Sequence, residues 1–389
     1  MFPVKPPGLA HLEADLEALR VRDQLRERPA PLPPGAVSFS TNDYLGLAGS
    51  TEIERAALGA GASRLVAGER EAHTALEGLV ASWLQTEAAL VFSSGYAANV
   101  GLVAALVGPG DLVVSDALNH ASLIDGIRLS RARVVVTPHL DAKAVARALA
   151  ERSERRAWIV TESYFGMDAD TAPLAQLRES ADRYGAGLLI DEAHALGVLG
   201  PEGRGLAAQA GIVPDALMGT FGKSFGSQGA FVAGSSLLIR WLWNRARSFV
   251  FSTGISPLLA VAAKTQLERA LAEPWRRERV LAHATRLRNG LAGAGYPVGD
   301  TVGPIVPWIL GSERAALAAQ DRLREQGLHA VAIRPPTVPE GTSRIRLAAS
   351  AAQSEAEIDR LVLAIGGTSD LDKRTNDGTT GRRNDGTTE

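Results

Sequence analysis

"ALMGTFGKSFGSQGA", Ala216–Ala230, decides how the chain reads. It opens as a short apolar run with the pattern of a buried strand. It then sets one lysine, Lys223, in a loop among Gly219, Gly222, Gly226 and Gly229. Glycine costs backbone entropy, so such a cluster marks a place where the chain approaches something closely. A solvated lysine needs no such frame, and the spacing suggests clearance for a bound group.

Upstream, "AGLLID" is another apolar run, ending at Asp191, and His194 follows it. Asp191 precedes Lys223 by 32 residues, about one strand and its crossover. The same pattern recurs in "AALVFSS", "DLVVSD", "ARVVVTP" and "AWIVTES", with helical patterns such as "DAKAVARALAERS" and "PLAQLRESADRYG" between several of them. Continuous apolar strands alternating with helices predict an α/β fold whose mostly parallel sheet lies between helices. Ligands of such sheets bind beyond the carboxyl ends of the strands. Asp191, His194, Thr220 and Lys223 all fall on that rim. "VFSSGYAAN" adds a strand-to-helix turn with Gly95 and Tyr96, where free amides and the helix dipole suit a phosphate. "SDALNHASLIDG" brings His120 to another such turn.

Singly, each of these residues has an ordinary reading as a cap, a turn or a solvated side chain. Together they meet the needs of pyridoxal phosphate. A lysine forms the Schiff base, an acid pairs with the pyridinium nitrogen, flat rings hold the cofactor plane, and a cradle takes the phosphate. "GKS" (Gly222–Ser224) and "LLIDEAH" (Leu188–His194) also imitate a phosphate loop and an acidic ATPase box. The loop would need glycine five positions before Gly222, where Leu217 stands, and the two boxes occur in reversed order.

The 389 residues allow more than one domain. We expect an N-terminal helix and arm over 1–40, a large domain over 41–255, bridging helices with a small α+β domain over 256–366, and a disordered tail over 367–389. "LAHLEADLEALRVRDQLRER" (Leu9–Arg28) has the spacing of an amphipathic helix. The tail repeats "NDGTT" and carries little apolar surface to bury. Net charge −2 gives no electrostatic case for nucleic acid or an acidic membrane. The absence of cysteine removes disulfides, thiol nucleophiles and cysteine metal sites, and no metal site is expected. No apolar run nears a membrane span and the start lacks a signal pattern, so a cytoplasmic protein is expected.

The stretches "STNDYLGLA", "GASRLVAGE", "SGYAANVGLVAAL", "NHASLIDG", "DEAHALGVLGPEGRG", "TFGKSFGSQGA", "FSTGISP" and "AIRPPTVPEGTSRIRL" resemble the α-oxoamine synthases, fold-type I pyridoxal-phosphate enzymes. The resemblance implies a homodimer with its site at the subunit interface. It implies that Lys223 binds the cofactor covalently and moves the substrate α-proton, and that Asp191 pairs with the pyridine nitrogen. His194 would meet the ring hydroxyl, and His120 would stack on the ring near the substrate. Gly95, Tyr96 and Thr220 would contact the cofactor around its phosphate, with Ser252 and Thr253 reaching the phosphate of a neighbouring subunit. Arg26, Arg334 and Thr337 would serve the substrate, Arg334 through a bidentate carboxylate contact. "AIRPPTVPEGTSRIRL" favours the branch that condenses L-alanine with a pimeloyl thioester, carried on coenzyme A or an acyl carrier protein. A sister activity using glycine and another thioester stays open, as does a non-catalytic scaffold. Two departures stand out. Where the family usually has serine in "VFSMDGD", this chain has Gly166 in "YFGMDAD", and the segment before Gly61 is shorter by roughly two helical turns.

Overall fold

The structure, a computed structural model, describes residues 12–25, 32–50 and 55–377. The strands in chain order are β1 (Val37–Ser38), β2 (Ala88–Phe92), β3 (Leu112–Asp116), β4 (Arg133–Thr137), β5 (Ala157–Glu162), β6 (Gly187–Asp191), β7 (Ala216–Thr220), β8 (Ala230–Gly234), β9 (Ile305–Gly311), β10 (Leu328–His329), β11 (Ala332–Ile333) and β12 (Ser343–Ala348). Seven of them form one sheet in the order β2-β8-β7-β6-β5-β3-β4. All run parallel except β8, which pairs antiparallel with both β2 and β7. The sheet is thus the expected mostly parallel one, with one strand the sequence reading did not single out. "AFVAG" follows the lysine loop without a helix between, so the chain turns straight back as a hairpin.

Neighbouring strand residues point to opposite faces and feed two cores. Val91, Val114, Ile159, Leu188, Ile190 and Leu217 enter one. Leu90, Val113, Val160, Leu189 and Met218 enter the other. Both faces are covered by helices, which is why these runs are apolar throughout rather than alternating. Because β2, β3, β5, β6 and β7 are parallel, their carboxyl ends share one rim.

Helices Pro257–Ala272 and Trp275–Gly293 lead to the small unit, whose sheet has the order β11-β12-β9. Trp308, Ile345 and Leu347 of that sheet belong to the same core as one face of the large sheet. β1 pairs with β10, strapping the N-terminal stretch to the small unit and fixing the entry of Asn42 and Tyr44. The first described helix, Leu12–Val21, ends before the expected Arg28, Asp23 at φ 53 turning the chain out of it; residues 9–11 and 26–28 of the expected span lie outside the described residues. The last helix, Glu355–Asp377, continues past residue 367, where the sequence reading starts a disordered tail. A helix satisfies its own backbone groups and can extend without an apolar face. Residues 378–389 of that tail lie outside the described residues. Among the described residues no helix is long and apolar enough to cross a membrane.

Candidate active site

The rim of the large sheet gathers four side chains that the sequence placed there one at a time. Asp191 ends β6 and is 5% exposed. Its Oδ2 accepts from Asn99 Nδ2 at 2.7 Å and its Oδ1 from the Ala193 N–H at 2.8 Å. Those bonds hold the carboxylate in a single orientation. Lys223 stands in the loop between β7 and β8 and interacts electrostatically with Asp191. Burial pulls its amine down to about 8, with the Arg346 charge acting the same way and Asp191 and Glu162 opposing. A lysine held there is partly neutral near physiological pH, as covalent catalysis by an amine requires.

His194 is buried, with Nδ1 2.9 Å from the Tyr44 hydroxyl. Burial first, then the charges of Lys223, Arg346 and His120, keeps its imidazole neutral well below the usual range. His120 caps helix Ala121–Ser130, its Nδ1 taking the Ser122 N–H at 3.2 Å and lying 2.7 Å from the Ser122 hydroxyl. Burial lowers its pKa too, opposed by Asp191 and reinforced by Lys223. Ser122 is itself held by Asn99 at 2.9 Å, so one buried amide fixes both Asp191 and the support of His120.

Helix Gly95–Leu106 points its N-terminus at the same rim, with Ser94 Oγ taking the Ala97 N–H at 3.1 Å. The first amides of a helix have no partner within it. A Cβ built on Gly95 would lie 3.8 Å from Thr220 Cβ, which puts the β2 and β7 ends side by side. Thr220 Oγ1 donates to Gly229 O at 3.0 Å and accepts from the Gly222 N–H at 3.1 Å, closing the base of the lysine loop. Tyr96 is half exposed and its hydroxyl donates to Asp125 Oδ2 at 2.5 Å.

The glycines of the lysine loop serve the chain itself more than a bound group. A Cβ on Gly219 would lie 2.4 Å from both Leu196 and Phe231, and one on Gly226 would lie 2.3 Å from the Ala48 nitrogen. At Gly222 a Cβ would meet nothing closer than Thr220 Oγ1 at 3.4 Å. The sequence reading of these glycines as clearance for a cofactor is corrected accordingly at Gly219 and Gly226.

Four further groups belong to the site. Glu162 ends β5 opposite Asp191 and is buried. Burial and the Asp191 charge push its carboxyl up, against Lys223 and a hydrogen bond from the His120 backbone N–H. Asn99 joins the site through Asp191, and Tyr44 through His194. Arg346, on β12, is 5% exposed and among the described residues meets only neutral acceptors: Nε donates to Gly166 O, and Nη2 to Asn42 Oδ1 at 2.9 Å and Tyr44 Oη at 3.0 Å. A buried guanidinium without a carboxylate is a ready receptor for one. The sequence signal was the alternation in "SRIRL", which puts Arg344 and Arg346 on one face of the strand. Arg344 instead pairs with Asp168 at 2.5 Å.

Of the expected substrate residues, Arg334 donates through Nη1 to Asp23 O, and Thr337 N–H donates to Arg334 O at 3.0 Å. Arg26 lies outside the described residues. Beside the rim, the loop Gly166–Asp170 is gripped from two sides. Arg344 and Arg346 hold it from the small unit, and His139 holds Asp170 at 3.0 Å and Asp116 at 2.8 Å. Gly166 lies against His194, where an added Cβ would come 2.3 Å from Nε2.

A partly neutral lysine, an oriented carboxylate, a neutral imidazole with one free edge and a helix N-terminus form the donor set that pyridoxal phosphate requires, and the residues present fit that group. The chain matches the aminotransferase class I and II family over residues 34–365, and it belongs to that family. Within the family the resemblance narrows to one activity. A relative from Anaeromyxobacter dehalogenans named 8-amino-7-oxononanoate synthase is 47% identical over 379 residues, covering 92% of this chain and 95% of that protein. One of the same name from Acidithiobacillus ferrooxidans is 44% identical, covering 90% and 96%. Among solved structures, a serine palmitoyltransferase from S. paucimobilis with bound pyridoxal phosphate and myriocin is similar at TM-score 0.86 and 26% identity, covering 95% of this chain and 99% of that one. An 8-amino-7-oxononanoate synthase from Francisella tularensis shares the fold at TM-score 0.75 and 24% identity, covering 88% and 100%.

Proposed function

We infer that the chain catalyses the pyridoxal-phosphate-dependent, decarboxylative condensation of L-alanine with a pimeloyl thioester. The products are 8-amino-7-oxononanoate, carbon dioxide and the free thiol carrier, a step of biotin synthesis. The observation that carries this reading is Lys223, whose amine is held partly neutral beside an oriented Asp191 on the rim of a parallel sheet.

Lys223 would hold the cofactor through Nζ, Asp191 would pair with its ring nitrogen, and His194 Nε2 would meet its ring hydroxyl. The amides of Gly95 and Tyr96, with Thr220, would face its phosphate, and His120 would lie over its ring. When bound, the cofactor supplies an electron sink for the amino acid's α-carbon. Lys223 is placed to take the α-proton, since an amine titrating near 8 can both accept and return it. Arg346, rather than the less buried Arg334, has the buried guanidinium suited to gripping alanine's carboxylate. Arg334, Thr337 and Arg26 remain proposed contacts for the thioester side. A homodimer would let Ser252 and Thr253 reach the partner's phosphate, and the cytoplasm is the proposed compartment.

Incubating the purified chain and pyridoxal phosphate with alanine or glycine, and with pimeloyl, acetyl or succinyl thioesters, tests the assignment by product mass. Pimeloyl-coenzyme A and pimeloyl carrier protein form separate arms. Product from alanine and pimeloyl thioester is expected. Product only from glycine with a short acyl donor would overturn the assignment.

A further inference from the structure

The hydroxyl of Tyr44 sits at the meeting point of three polar groups. Arg346 Nη2 donates to it at 3.0 Å, Asn42 Oδ1 lies 3.0 Å away, and His194 Nδ1 lies 2.9 Å away. Tyr44 is fully buried, so its one proton must go to one of the two acceptors. Asn42 Oδ1 already takes an Arg346 N–H at 2.9 Å. The cationic donor at the tyrosine oxygen polarises the O–H, and an imidazole nitrogen is a better acceptor than an amide oxygen. The proton therefore goes to His194 Nδ1. A neutral imidazole carries one proton, so His194 must then carry it on Nε2. Nε2 has no hydrogen-bond partner among the described residues. Its neighbour is Gly166, which has no side chain to cap it.

We propose that Tyr44 is a positioning residue that fixes His194 as the Nε2–H tautomer, aimed at the cofactor's ring oxygen, and links that donor to Arg346. The proposal rests on the reading of His194 as the group facing the ring hydroxyl. It adds a coupling between the two ends of the site. When a carboxylate draws Arg346 toward itself, the guanidinium's grip on the tyrosine oxygen changes, and with it the strength of the hydrogen bond into His194. The charged and titratable groups facing this chain are Arg346 from β12, Lys223 from the loop after β7 and His120 from the turn after β3, all of which act to keep His194 neutral.

The test is nitrogen-15 NMR of the apoprotein with labelled histidine, with the His194 signals identified by their loss in His194→Gln. The expected result is a proton on Nε2 and a bare, hydrogen-bonded Nδ1 in the native chain. Tyr44→Phe should then mix the tautomers or move the proton to Nδ1. In the loaded enzyme the same variant should lower kcat roughly 10-fold, the size of one lost hydrogen bond, and should also shift KM for alanine, because Arg346 loses the same hydroxyl. A native proton on Nδ1, or an Nε2–H that persists unchanged in Tyr44→Phe, would overturn the proposal. If that variant fails to fold, uniform fluorotyrosine labelling keeps the shape and sharpens the hydroxyl's acidity. His194 Nδ1 must then shift, and no shift overturns the proposal. None of the apoprotein readings depends on which substrates the enzyme uses, so a failed product assay and a failed tautomer assignment are separable.

Discussion

Gly166→Ser would restore the serine usual to the resembled family, and in this chain it should be harmful. An ideal Cβ at residue 166 falls 2.3 Å from His194 Nε2 and 2.7 Å from both Cδ2 and Cε1. Carbon contacts are comfortable near ~3.5–4.0 Å, so the ring or the loop must retreat by roughly an ångström. Neither is free to do so. The ring is tied through Nδ1 to Tyr44, and the loop is tied through Gly166 O to Arg346. Forced overpacking of this kind costs about 1–3 kcal/mol, and loss of the buried Tyr44–His194 hydrogen bond adds about 1 kcal/mol. Urea unfolding of the apoprotein should therefore show Gly166→Ser destabilised by about 2–4 kcal/mol, with Gly166→Ala close to it because the Cβ carries the clash. Pyridoxal phosphate should bind more weakly to both variants. A serine variant as stable as the native chain, binding the cofactor at least as well, would refute the packing reasoning and place His194 elsewhere.

The nearby Ala169 sits at φ 61 and is fully buried; relief of left-handed strain of roughly 1–2 kcal/mol is offset by about 0.4–1 kcal/mol of unfolded-state entropy and by about 0.8 kcal/mol for the lost buried methyl, so Ala169→Gly should stay within about 1 kcal/mol of the native chain in the same unfolding assay. His139 is partly buried, which disfavours its charge, yet its bonds to Asp116 and Asp170 outweigh that and raise it to about 10. A folded pKa above the unfolded one gives stability that is full below about 6.5 and is lost as pH rises through about 10. His139→Gln should flatten that decline in melting experiments run from pH 6 to 10. Lys223 titrates near 8, below the unfolded lysine, so capture of pyridoxal phosphate by the apoprotein should accelerate with a midpoint near pH 8 in stopped-flow absorbance. A midpoint above 10 would mean the amine is solvated.

The parallel sheet was legible because strands buried on both faces read as unbroken apolar runs, and the residues that end them fall on one rim by topology alone. That is why Asp191, His194, Thr220, Lys223 and His120 could be gathered from sequence. β8 escaped because it follows the lysine loop directly, with no helical pattern to separate it. Tyr44, Asn99, Glu162 and Arg346 escaped for another reason. Their importance comes from contacts across the fold: Tyr44 lies 150 residues from His194, and Asn99 lies 92 from Asp191. Local spacing carries no trace of such pairings. "RPPTVP" drew attention to Arg334, whereas the arginine with the buried guanidinium, Arg346, lies twelve residues on, in a strand whose alternation alone could have shown it. The lysine-loop glycines were legible as sites of close approach, but not which partner approaches.

The central claim is that Lys223 is the amine that anchors pyridoxal phosphate. Borohydride reduction of the loaded chain followed by peptide mass mapping tests it directly. One pyridoxyl group per chain, located on Lys223 and absent from Lys223→Ala, is the expected result. Labelling at another lysine, or equal labelling of the Lys223→Ala chain, would contradict it.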